Sequence, residues 1–240
     1  MAGHSHWAGI KHKKGRADKE KSKIFSKLSR EITVAAKLGD KDPVMNPRLR
    51  AAIQAAKHAN MPKENISRAI SKSEIGDGKN YENLRYEGFG PYNTALVIET
   101  LTDNKNRSAS SIRTVLQKNG GRLGEAGSTT HLFYNCGVIH IGKEKIGEEE
   151  IFEAALSFGA KDCFSYSKYH EIISEKEDFY KVKSNFEKKL DDFMYFGIEW
   201  RPHQLLDLKK DQNEKIKEII NHLGELDDVQ DIYTNVRLEG

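Results

Sequence analysis

Residues 133–200 fall into six segments: FYNCGVIHI (133–141), EEEIFEAALSF (148–158), DCFSY (162–166), YHEIIS (169–174), FYKVKSNFEKKL (179–190) and FMYFGIEW (193–200). The first, third, fourth and last are short runs rich in aromatic and β-branched residues, the mark of strands. The second sets Ile151, Ala154, Ala155 and Phe158 on one helical face, and the fifth does so with Val182, Phe186 and Leu190. The order is β-α-β-β-α-β, the ferredoxin-like unit.

Each flank reads as half of such a unit. Upstream, Thr94–Leu101 is a largely buried strand, and Asn104–Lys118 carries Ala109, Ile112, Val115 and Leu116 at helical spacing. Gly120-Gly121 stops that helix, and a short strand follows around Arg122–Gly124. Downstream come a strand near Trp200–Leu208, a helix at Gln212–Leu223 and a strand at Val229–Val236. The two halves are expected to pair into one domain that holds 133–200 as an insertion.

The first 80 residues differ. Ile24, Leu28, Ile32 and Ala35 step by four, four and three along a helix from Lys19 to Leu38, with Asp18 as its cap and Gly39 as its stop. Asn46-Pro47 opens a second helix, with Asn capping and Pro at the first helical position. Asn60-Met61-Pro62 breaks it, and a third helix turns Ile66, Ala69 and Ile70 inward before Gly76-Asp77-Gly78. The expected fold is therefore α+β and multidomain. A flexible basic arm (1–18) leads into a three-helix basic domain (19–78). Residues 79–132 and 201–240 form one ferredoxin-like α/β domain, and a second, 133–200, is inserted into the first.

Charge is distributed unevenly. Residues 1–30 hold nine Lys/Arg against two Asp/Glu, and residues 1–75 hold 17 against 7, a net of +10, in a chain whose total is +3. A basic front on an acidic remainder points to a polyanion, nucleic acid above all. Lys11, Lys13, Lys14, Arg16, Lys19, Lys21, Lys23, Lys27 and Arg30 are candidate phosphate contacts. His4, Ser5, His6, Trp7 and His12 lie among them, and Trp7 suits either stacking on a base or wedging against a groove, or else anchoring the arm onto the protein. Arg48 and Arg50 stand in the first turn of the second helix, where the helix dipole disfavours cations. Asn104, Lys105, Asn106 and Arg107 repeat that arrangement after a strand, and free N–H groups beside cations make an anion site. Glu87, Gly88, Phe89, Gly90 and Pro91 read as a tight loop with an exposed aromatic, a possible functional loop. Glu225, Asp227, Asp228 and Asp231 read as a solvated acidic loop, since their spacing is not that of an EF-hand.

Other classes find little support. No apolar run approaches the roughly 20 residues of a membrane span, and the N-terminus has no apolar signal core. Cys136 and Cys163 lack metal-ligand spacing and read as small buried side chains of a reducing compartment, so the cytoplasm is expected. No nucleophile elbow, HExxH or kinase set is present, so neither an enzyme nor a metal or other cofactor is expected.

Ala2-Gly3-His4-Ser5-His6-Trp7, Asn46-Pro47-Arg48-Leu49-Arg50-Ala51-Ala52-Ile53, Asn60-Met61-Pro62 and Tyr86-Glu87-Gly88-Phe89-Gly90-Pro91 together resemble the YebC/PmpR family. So do Asp103–Arg107, Gly120–Gly124 and Asp227-Asp228-Val229-Gln230, in order along nearly the whole chain. The resemblance implies a three-domain cytoplasmic protein without cofactor or enzyme activity. Its members are described as DNA-binding transcriptional regulators. Mitochondrial relatives look like translational activators, and bacterial ones have been linked to ribosomes stalled on proline-rich sequences. Four positions depart from the family: His6 where Lys is usual, Tyr92-Asn93 where Gly-Gly is usual, and His131 in place of an aromatic. Two functions stay open at this point. One is a nucleic-acid-binding regulator acting on DNA. The other is a ribosome-associated translation factor seated on ribosomal RNA.

Overall fold

The computed structural model of the chain describes residues 17–74, 81–190 and 192–238. The chain divides into two compact units, residues 1–132 with 204–240, and residues 133–203.

The first unit begins with three helices, α1 (Ala17–Leu38), α2 (Pro47–His58) and α3 (Lys63–Lys72). Helix α1 already starts at Ala17, so Asp18 is not its cap. Asn46 caps α2 as expected: its side chain accepts the Leu49 N–H at 3.0 Å, with Pro47 next in line. The core between the helices is Ile32, Ala35, Ala36, Leu49, Ala52, Ala56, Met61, Ile66 and Ala69. Its alanines let the backbones approach closely, and Ile32 and Leu49 are fully buried.

A four-stranded antiparallel sheet follows, built from β1 (Glu82–Phe89), β2 (Ala95–Thr102), β3 (Arg122–Leu123) and β8 (Val229–Thr234) in the order β3-β1-β2-β8. Helices α4 (Lys105–Lys118) and α7 (Lys210–Gly224) pack on it. Leu96, Ile98, Ile112, Leu116, Ile216, Ile219, Ile220 and Leu223 make the shared core. Shortening one such buried Ile to Ala costs about 2–5 kcal/mol.

Two details of this sheet differ from expectation. Glu87, Gly88 and Phe89 are the end of strand β1, which pairs in register with β2 from Glu82↔Thr102 to Phe89↔Ala95. They are not a loop. The expected strand at 200–208 is also absent from this sheet. Arg201 and Pro202 belong to the other unit, and Leu206 makes only a single parallel bridge to Val236. The reason is a filled slot. In a split βαβ the third strand enters between the two that flank the first helix, and here β1 occupies the place between β2 and β3.

The second unit holds β4 (Phe133–Gly142), α5 (Glu148–Phe158), β5 (Asp162–Ser165), β6 (Tyr169–Glu175), α6 (Phe179–Lys189) and β7 (Tyr195–Pro202). Its sheet order, β5-β6-β4-β7, is that of the ferredoxin-like unit, with every pair antiparallel. Three glutamates open α5, favourable at a helix N-terminus. Gly159 closes it with φ 83°, a left-handed cap that suits glycine. The core is Ile139, Ile141, Ile151, Ile172, Val182 and Phe186 with their neighbours.

Candidate functional site

Three cations of α1 are engaged within the first unit. Lys23 pairs with Glu225 at 2.8 Å. Lys27 Nζ is buried and donates to the Gly224 carbonyl at 3.1 Å. Burial lowers its amine to about 8, although Asp231 partly opposes the shift. Arg30 Nη1 donates to the Asp227 carbonyl and, at 3.2 Å, to Asp228 Oδ1. These contacts join α1 to the turn between α7 and β8.

Asp228 is the centre of that junction. It is buried and accepts from Ser108 Oγ at 2.7 Å and from Thr102 Oγ1 at 3.1 Å. Arg107 Nη2 reaches it at 2.9 Å and also holds Asp103 at 2.6 Å. Those two carboxylates raise the Arg107 pKa. The expectation of a solvated acidic loop is corrected here. Exposed Glu225 and Asp227 lie at its rim, but Asp228 is an internal counter-ion for Arg30 and Arg107. A burial of this kind requires paired charge, and the partners lie 121 and 198 positions away in sequence.

The cations at the start of α2 are tolerated for different reasons. Arg48 makes a two-pronged contact with Glu31 of α1, at 2.7 and 3.1 Å. Arg50 Nη1 donates to the carbonyls of Pro43 and Val44, both at 3.0 Å, and remains exposed. At α4, the Asn104 side chain caps by accepting the Arg107 N–H at 3.0 Å. Lys105 and Asn106 are exposed beside it.

The segment Glu87–Pro91 also has another role than expected. Glu87 is 5% exposed and accepts five hydrogen bonds, from the N–H groups of Gly127, Thr129 and Thr130 and the hydroxyls of Thr129 and Thr130. Burial alone would push its carboxyl up. The three N–H donors outweigh burial and hold it below the usual carboxylate range. Glu87 is thus a clamp that ties the 127–130 turn to β1. Phe89 is half-buried under the Arg122 guanidinium, 4.5 Å from its ring centre. The exposed aromatic of the hairpin is Tyr92. Tyr92 and Asn93 have φ of 62° and 59°, so both side chains sit in a region that favours glycine.

A set of cations that the charge count did not single out is free of carboxylates. Arg50, Lys57, Lys63, Arg68 and Lys72 of α2 and α3 are exposed. Among the described residues none of them has an acidic partner. The signal was present in the sequence: residues 47–58 contain no Asp or Glu. The arm residues His4, Ser5, His6, Trp7, Lys11, His12, Lys13, Lys14 and Arg16 lie outside the described residues, as does the Lys19 side chain.

The second unit buries a charged network on its sheet. His140 Nε2 and Arg201 Nη2 each lie 2.9 Å from Glu171 Oε2, and Arg201 Nε donates to Glu199 at 3.1 Å. Burial pushes Glu171 up, but the hydrogen bonds from His140 and Arg201 reverse this and hold it at about 2. Burial dominates at Glu199 and raises it. Cys136 is fully buried, its thiol pushed up to about 12 by burial, so it is a poor nucleophile. Among the described residues no group of His, Cys, Asp and Glu could hold a metal ion, and no helix is long and apolar enough to cross a membrane.

Comparison with known proteins covers the whole chain. Residues 5–76 match the family model of the TACO1/YebC protein N-terminal domain, and residues 81–236 match that of the TACO1/YebC second and third domain. A probable transcriptional regulatory protein of Pelagibacter ubique is 54% identical over 239 residues, with 100% of this chain and 99% of the relative covered. One of the same description from Zymomonas mobilis is 48% identical, with 100% and 96% covered. The crystal structure of a conserved hypothetical protein from Aquifex aeolicus superimposes with a TM-score of 0.85 at 41% identity, covering 98% of each chain.

Proposed function

The chain belongs to the TACO1/YebC family, and from that premise we propose that it is a nucleic-acid-binding regulator of gene expression that acts on DNA to control transcription. The observation that carries this reading is the cation set of α2 and α3. Arg50, Lys57, Lys63, Arg68 and Lys72 keep their charge for an outside partner, whereas Lys23, Lys27, Arg30 and Arg107 meet partners within the protein. Phosphates are the partner that a row of unneutralised Lys and Arg serves best. The printed names of the Pelagibacter and Zymomonas relatives support regulation of transcription. The strongly basic N-terminal sequence, with Lys11, Lys13 and Lys14, adds phosphate contacts, and exposed Lys105 with Asn104 and Asn106 offers a second, smaller anion site. The protein works by binding rather than catalysis, in the cytoplasm, and needs no cofactor.

Ultraviolet crosslinking in living cells, with sequencing of attached DNA and attached RNA, tests the reading. Enrichment at discrete promoter sites is expected. Enrichment at defined positions of ribosomal RNA over background DNA would refute the transcriptional assignment and place the protein in translation.

A further inference from the structure

The sheet of the second unit has two unlike faces. Ile139, Ile141 and Ile172 belong to the core shared with α5 and α6. Their neighbours in sequence point the other way. On that second face His140, Glu171, Glu199 and Arg201 lie on the adjacent strands β6, β4 and β7. They stand around a small apolar cluster of Cys136, Val138 and Ile173, against which Tyr134 and Tyr195 pack. Glu171 and Glu199 are 1% exposed and Arg201 3%.

The charges of this cluster do not balance when every carboxyl is ionised, because one guanidinium serves two of them. Arg201 turns both terminal nitrogens to Glu171, Nη2 at 2.9 Å and Nη1 at 3.4 Å, and gives Glu199 only Nε at 3.1 Å. Glu171 also has His140 Nε2 at 2.9 Å and the Tyr166 hydroxyl. Beside Nε, Glu199 has the Tyr195 hydroxyl, which cancels no charge. Glu171 is thus the better-served carboxylate. A second one at Glu199 would bury a net negative charge, which costs far more than a neutral acid in the same place.

The other titratable groups on this face offer Glu199 no countercharge. Burial pushes the Cys136 thiol up to about 12 and raises the phenols of Tyr134, Tyr166 and Tyr169, so all four stay neutral. Lys161, 5.5 Å from the ring centre of Tyr134, is exposed and paired with Glu175 at 2.7 Å. Asp162 is exposed to water. His140 stands opposite Glu171, whereas the residue of β4 opposite Glu199 is Cys136, four positions away. Burial accordingly drives the Glu199 carboxyl above the usual carboxylate range.

We infer that Glu199 is held at neutral pH as a neutral, protonated acid, and that this proton is a latch whose loss leaves two buried carboxylates on one guanidinium and loosens the second unit. The direction follows from linkage. The unfolded chain gives up the proton near the ordinary value of roughly 4.3, and the folded chain gives it up higher. The stability that comes with the proton is complete below the unfolded value and is lost as pH rises through the folded one.

The test uses the full chain with carbon-13 at the glutamate carboxyls, Glu199 being assigned through its backbone. At pH 7 its carboxyl carbon is expected at the position of an acid, and that of Glu171 at the position of a carboxylate. Glu199→Gln keeps the shape and needs no proton. Hydrogen exchange at the β4 amides of Val138 and Ile139, corrected for intrinsic rates, gives the opening constant of the unit. The ratio of wild type to Glu199→Gln should rise roughly tenfold from pH 6 to pH 7. A carboxylate signal for Glu199 at pH 7, with the proton on His140 or absent, would overturn the latch. So would a ratio that stays flat. If Glu199→Gln does not fold, the carboxyl signal of the wild type decides alone.

Discussion

Replacing Glu87 by Gln is expected to loosen the first unit at neutral pH and to matter much less in acid. The side chain keeps its shape, so the change isolates charge and hydrogen bonding. Oε2 accepts the N–H groups of Thr129 and Thr130 at 2.7 and 2.8 Å, and Oε1 accepts that of Gly127 at 2.8 Å. Gln can keep one oxygen at the Oε2 position. Its amide then faces the Gly127 N–H, donor against donor. Hydrogen bonds to a charged group contribute about 1.5–3 kcal/mol each. Gly127 is exposed and can turn to water, which discounts the loss to about 2–3 kcal/mol in all. The dependence on pH follows from the carboxyl, which the N–H donors hold below its usual range against the pull of burial. A depressed folded pKa means that the unfolded chain takes the proton first. The contribution is therefore complete above the unfolded value of roughly 4.3 and is lost as pH falls through the folded value. Hydrogen exchange at the buried β2 amides of Val97 and Ile98 reads the opening of this unit. At pH 7 the variant should exchange roughly 30- to 150-fold faster than wild type, and the gap in opening free energy should narrow at about pH 3. An equal gap at both values, or none at pH 7, would refute the clamp.

The junction at Asp228 makes a second prediction. Asp228→Ala removes the buried carboxylate shared by Arg30 and the Thr102 and Ser108 hydroxyls; Arg30 keeps only carbonyl acceptors, Ser108 can fall back on the Asn104 carbonyl, and exposed Arg107 can turn to water. It should cost about 2–3 kcal/mol, read as faster exchange at Ile32 and Leu49 with the second unit unchanged. In the β1–β2 hairpin, Tyr92→Gly relieves a left-handed backbone and should raise stability by about 0.5–1 kcal/mol; a lower melting temperature would contradict this. In the second unit, Arg201→Met takes the guanidinium from two buried carboxyl groups, leaving Glu171 with His140 and Glu199 without its guanidinium partner. A loss of about 3–5 kcal/mol is expected at neutral pH, partly restored by adding Glu199→Gln, and urea titration of β4 exchange would show both effects.

Much of the architecture is legible because its causes are local. Helical periodicity marks α5 and α6, the Asn46-Pro47 pair marks the start of α2, and Asn104 marks that of α4. The strand run 133–200 carries its own β-α-β-β-α-β order, and a single unit built from contiguous chain needs no distant information. Strand β1 was hidden because β3 pairs with only its last two residues, so most of one edge is open and its sequence, ENLRYEGF, is polar with weak alternation. The destination of residues 201–208 was hidden for a related reason: β1 had already taken the slot between β2 and β3.

The candidate site divides in the same way. Sequence alone determined that the front of the chain is basic and that the helices and the strands of 133–200 come in this order, since charge and periodicity are properties of neighbouring residues. Only the tertiary structure decided which cations are available. Lys23 meets Glu225 across the unit, and Arg107 meets Asp228 at a separation of 121. A charge keeps its strength for an outside partner only where folding brings no carboxylate to it, and that depends on contacts between residues far apart in the chain.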